Sequence, residues 1–114
     1  EVNNNLAGVY LDKDRNEEAI THYRKAIEGK PDDARMRYNL ALAYIGADRY
    51  SEAEQSLLQA LKINDSDWEA RHKLGEVLIA QEKSSEAEEV LSNLLEENPE
   101  YSRREDVEQL LESI

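Results

Sequence analysis

The feature that most constrains this chain is a recurrence of 34 residues. Leu6, Leu40 and Leu74 keep that interval, as do Ala19, Ala53 and Ala87. Tyr10, Tyr44 and Leu78 follow it, then Tyr23, Leu57 and Leu91, then Ala26, Ala60 and Leu94. Pro31 and Pro99 stand two intervals apart, with Asp65 midway. A period of this size means stacked supersecondary units, each of which needs a neighbour to cover its apolar face.

Apolar spacing within each period is helical. Predicted helices cover residues 1–12, 17–29, 34–47, 51–63, 68–81, 85–97 and about 103–113. Lys13–Asn16 reads as a polar turn, because Asp14 and Asn16 tolerate turn geometry. Gly29 followed by Pro31 is a stop signal. Ser51 with Glu54, Ser66 with Glu69 and Ser85 with Glu88 have the spacing of capping boxes. Four glycines, two prolines and no Phe in 114 residues agree with regular helix. The predicted fold is all-α: an α-solenoid, a right-handed superhelix of antiparallel helix pairs with about seven helices.

Composition removes several function classes. The net charge is −12. From Glu82 onward eleven acids face three bases (Lys83, Arg103 and Arg104), which leaves −8 there and −4 in the preceding residues. Such a chain repels phosphate backbones and anionic lipid, so no nucleic-acid partner is expected. No apolar run is long enough for membrane insertion, and no signal-peptide pattern opens the chain. There is no cysteine, hence no disulfide framework or thiol chemistry. Residue 1 already lies inside a repeat, so excision from a longer array is expected. The expected compartment is the cytoplasm.

With these residues in register the chain resembles the tetratricopeptide repeat family, whose pattern is W-x2-L-G-x2-Y, then A-x3-F, then P. The first copy reads Asn3, Leu6, Ala7, Tyr10, Ala19, Tyr23, Ala26 and Pro31. The second reads Arg37, Leu40, Ala41, Tyr44, Ala53, Leu57, Ala60 and Asp65. The third reads Arg71, Leu74, Gly75, Leu78, Ala87, Leu91, Leu94 and Pro99. Trp never fills its slot, and the small slot is Ala twice. The resemblance gives one domain with repeats at 1–33, 34–67 and 68–101. A fourth copy would need Leu, Gly and Tyr where Glu108, Gln109 and Glu112 stand. Residues 103–114 therefore resemble a capping helix, with Val107, Leu110 and Leu111 turned toward the third repeat.

The resemblance implies binding in a concave groove lined by the first helix of each pair. Groove candidates are Asn5 on the first repeat and Arg35, Tyr38, Asn39, Leu42 and Ile45 on the second. His72, Lys73 and Ile79 are the candidates on the third. Asn39 stands where peptide-binding members often carry an Asn that grips a ligand backbone, and its amide can both donate and accept. Tyr38 and His72, one period apart, are expected to form an aromatic shelf. The clamp that some members close on a C-terminal carboxylate maps onto Asn4, Gly8, Asn39, Glu69 and Lys73. Only Asn39 and Lys73 match it, so that clamp is expected to be absent.

Catalysis would need a nucleophile with its base, paired carboxylates in a pocket, or metal ligands. His22 and His72 lie on different repeats, and the acids fall in solvated stripes. The chain is therefore not read as an enzyme, and no cofactor or metal is expected. The resulting expectation is an interaction module that takes a peptide or helical segment of a protein partner. The alternative is a scaffold fragment of a longer array that forms a homo-oligomer through its ends.

Overall fold

The computed structural model describes residues 13–114. The helix expected over residues 1–12, and with it Asn5, lies outside the described residues. Six helices follow in order: α1 (Lys13–Gly29), α2 (Ala34–Gly46), α3 (Tyr50–Ile63), α4 (Trp68–Ala80), α5 (Ser84–Glu97) and α6 (Arg104–Glu112). No strand occurs among the described residues. The main packing is between consecutive helices, which makes a helical solenoid of helix pairs.

The repeat is visible in the joints. Asp33 and Asp67, one period apart, cap α2 and α4. Each carboxylate accepts from a backbone amide three residues on, Met36 at 3.0 Å and Ala70 at 3.1 Å. This satisfies one of the amides that every helix start leaves unpaired. The turns after α2 and α4 also match. Asp48 and Glu82 adopt left-handed φ values of 60° and 62°. The next amides, of Arg49 and Lys83, donate back to Tyr44 O at 2.8 Å and Leu78 O at 2.9 Å. These are Schellman closures, in which one left-handed residue lets the last helical carbonyls be satisfied.

Three expected capping boxes are not formed. Ser51 and Ser85 lie inside α3 and α5, whose N-caps are Arg49 and Lys83, and neither side chain makes a capping bond to its helix amides. Ser66 yields the cap of α4 to Asp67, whose carboxylate reaches the helix amides directly. Acids in the first turns, Glu52 and Glu86, still suit the positive helix ends of α3 and α5. Nor is Lys13–Asn16 a turn: it is helical, within α1. The segment holds no Gly or Pro, and Asn16 is buried against α2 at the Gly46 crossing.

The core runs along the stack. Ala19, Ala53 and Ala87 are all fully buried, in keeping with close helix crossings there. With Tyr23, Leu40, Leu57, Leu74 and Leu78 they form one continuous cluster. A second cluster of Leu91, Leu94, Tyr101 and Val107 closes the α5–α6 end, with Leu110 and Leu111 packed on it. Ile79 packs against both. Gly75 marks the tightest approach: a Cβ there would meet the Leu91 side chain, including Cγ at 2.6 Å.

Ion pairs tie each helix pair to the next. Arg49 donates to Glu17 on α1 at 2.7 Å and to both carboxylate oxygens of Glu52 at 2.6 Å. One period later, Gln81 and Lys83 both donate to Glu54 on α3, at 2.8 and 3.0 Å. Burial opposes the charge of Glu54, but these two bonds hold its carboxyl below the usual range.

Candidate peptide-binding face

The expected groove residues on α2 recur at intervals of three and four, so the helix carries them as one stripe. Arg35, at the start of α2, lies over the Tyr38 ring at 4.7 Å and reaches Asp67 at 3.9 Å. Asn39, Leu42 and Ile45 are half-buried. Leu42 and Ile45 touch the main cluster with one side and keep the other accessible.

On α4, Lys73 is half-buried and pairs with Glu76 at 2.9 Å. Ile79 is half-buried further along the same helix. The face therefore mixes aliphatic area with an amide and two cations, Lys73 closely paired with Glu76 and Arg35 more loosely with Asp67.

The aromatic shelf expected from Tyr38 and His72 is not an open surface. Tyr38 is 6% exposed and His72 only 2%. Tyr38 is packed into the main cluster, and Tyr101, in the link before α6, covers His72. Its ring meets the His72 imidazole edge-on at 5.7 Å and 82°, and its hydroxyl lies 3.0 Å from Nδ1. Among the described residues Nε2 of His72 has no hydrogen-bond partner, and Glu76 stands 3.8 Å away. Burial lowers the His72 pKa; Glu76 and Asp106 work against that, and Arg103 and Lys73 with it. Burial, aided by the nearby Glu69 charge, pushes the Tyr38 hydroxyl up to about 12, so it stays neutral.

Sequence reasoning missed Tyr101, although the period carries a signal for it. Asp33 and Asp67 occupy the same slot in the two preceding repeats. An aromatic replacing a capping acid leaves the next helix without an Asp cap. Indeed α6 starts after Arg103, which makes no side-chain cap bond. Val107, in the slot of polar Asn39 and Lys73, is fully buried in the core.

No cluster of metal-binding side chains occurs among the described residues. No described helix is long and apolar enough to cross a membrane.

Stacked helix pairs define a helical-repeat protein. Family comparison resolves which one. TPR repeat sequences match residues 7–46, and the tetratricopeptide repeat family matches residues 48–114. The chain belongs to the tetratricopeptide repeat family. No curated protein sequence matches it.

Among solved structures, the first TPR of Spaghetti (RPAP3), bound to the HSP90 peptide SRMEEVD, superposes with a TM-score of 0.80 at 23% identity. That likeness covers 98% of this chain and 92% of the other, and shows the fold alone. The second TPR domain of human RPAP3, in complex with the HSP70 peptide SGPTIEEVD, gives 0.77 at 25% identity over 87% of this chain and 80% of that one. A TPR protein of Thermus thermophilus gives 0.79 at 27% identity, over 87% of this chain and 51% of that protein.

Proposed function

We propose that this chain is a protein-interaction module, not an enzyme, and that it takes a short peptide or helical segment along the α2–α4 face. One observation carries this reading: Leu42, Ile45 and Ile79 keep aliphatic area accessible beside Asn39, Arg35 and Lys73. Aliphatic side chains supply affinity, and the Asn39 amide can pair with a ligand backbone. Related domains of the same fold hold short peptides, which supports the same use here.

The ligand differs in charge from the acidic tails of those complexes. Lys73 is paired with Glu76, and Glu69 stands in a slot where the carboxylate clamp needs a cation. A mixed apolar and polar segment fits this face better than an EEVD-type tail.

The test is selection of a 12-residue peptide from a random displayed library, followed by titration. Asn39→Ala and Leu42→Ala should each weaken the selected peptide about tenfold, or ~1.4 kcal/mol. Gln59→Ala, away from this face, should leave it unchanged. An acidic C-terminal peptide should bind no better than its amide. Normal binding by both face variants, with loss on Gln59→Ala, would refute the assignment.

A further inference from the structure

The opposite side of the stack carries a trough between α3 and α5, floored by α4. Two hollows of about 250 and 290 Å³ share Leu74 and Val90 and so run into one another. The floor is Leu74 and Leu78, both buried. Leu58, 43% exposed, and half-buried Leu61 form one wall, and Val90 the other. The rim is acidic. Glu54 and Glu97 are matched by Lys83 and Arg71, both at 3.0 Å. Glu86 and Glu89 make no ion pair among the described residues.

The period provides an internal comparison. The trough between α1 and α3 has the same construction, but its equivalent positions differ. Arg24 stands where the second trough has Leu58, Gln55 where it has Glu89, and Ser56 where it has Val90. Repeat architecture alone therefore does not make this surface. Glu54, Leu78 and Glu97 likewise stand where the first repeat pair has Ile20, Tyr44 and Ile63, so a cationic and polar trough becomes an apolar and acidic one.

We infer that the α3–α5 trough docks a basic amphipathic helix of a protein partner, at a site separate from the α2–α4 face. A helix with apolar side chains at three- and four-residue intervals seats them on Leu58, Leu61, Leu74 and Val90. Lysines or arginines flanking that stripe meet Glu86 and Glu89. The wall from Glu86 to Glu97 is three helical turns, about 16 Å long, which sets an occupant of roughly eleven residues. A second copy of this chain, at −12, meets the trough with like charge, and anionic lipid does the same.

The probe is a fluorescein-labelled 14-residue helical peptide, with leucines on one stripe and lysines beside it. A scrambled peptide of identical composition is the control. Anisotropy titration of the intact chain at about 150 mM salt should show at least tenfold preference for the striped peptide. Giving three trough positions their α1–α3 identities, by Leu58→Arg with Glu89→Gln and Val90→Ser, should remove that preference. Circular dichroism of the converted chain should show unchanged helicity, since Leu58 and Val90 are only partly covered. Asn39→Ala and Leu42→Ala should leave striped-peptide binding intact, so failure of the α2–α4 reading is distinguishable from failure of this one. Equal binding of the scrambled peptide, equal binding by the converted chain, or loss on the Asn39 and Leu42 variants would overturn the inference. So would Leu58-dependent self-association in sedimentation.

Discussion

Replacing Gly75 with Ala should destabilise the chain although Gly sits in mid-helix. Ala in a helix interior is favoured over Gly by about 1 kcal/mol. Against that, the added Cβ would lie within 2.6 Å of Leu91 Cγ and nearer still to Cδ2. Leu91 is fully buried and packed with Leu94, Tyr101 and Val107, so it has no empty space to enter. Overpacking of this kind costs about 1–3 kcal/mol, and here both branches of the Leu are affected. The expected net loss runs up to about 2 kcal/mol, or up to roughly 10 °C in Tm for a domain of this size. Gly29→Ala is the matched control, because a Cβ there meets nothing within 4 Å. It should raise Tm slightly. Thermal melts by circular dichroism read both. Leu91→Ala alone should cost about 2–5 kcal/mol, and adding Gly75→Ala to it should cost almost nothing further. If Gly75→Ala stabilises like Gly29→Ala, or adds its full effect to Leu91→Ala, the crossing is not tight and the reasoning fails.

His72 gives a pH prediction. Burial depresses its folded pKa below the unfolded value of about 6.5, so its contribution to stability is complete above that pH. The contribution declines as pH falls below 6.5 through the lower folded value. Urea midpoints should drop between pH 7.5 and 5.5, and His72→Gln should flatten that slope; parallel slopes would exclude the imidazole as its source. Tyr101→Phe removes the partner of Nδ1 and should cost about 1–3 kcal/mol in urea unfolding. Glu82→Gly should raise Tm, because the left-handed backbone costs a side-chain-bearing residue about 1–2 kcal/mol and glycine's unfolded-state entropy offsets only part of that. A lower Tm would show that the Glu82 side chain does more for the turn than its backbone costs.

The period made the stack legible. Ala53, Ala87, Leu57 and Leu91 could be assigned to the interior because identical spacing must serve identical contacts. The joints were less legible. Ser51 and Ser85 have the right spacing for capping boxes, but the Schellman turn at Asp48 and Glu82 starts the next helix earlier and carries both serines past the cap. Lys13–Asn16 reads as a turn by residue type, but the Asn16 side chain is packed against Gly46, thirty residues away in sequence. On the proposed binding face, Asn39 and Leu42 were placed by their spacing along α2. The burial of Tyr38 and His72 was not foreseeable from α2 and α4 alone. That of His72 involves Tyr101, whose position breaks the period.

Packing mainly between consecutive helices means that the folded chain has a direction but no single keystone. A boundary between ordered and disordered chain can stand at any joint and move one helix at a time. The short α6 is held chiefly through Val107, Leu110 and Leu111, so it is the cheapest element to release. Its amides should exchange with solvent well before those of α3. While α6 is detached, Leu91 and Leu94 lose part of their cover, and the chain briefly offers water a ready-made surface for one more repeat.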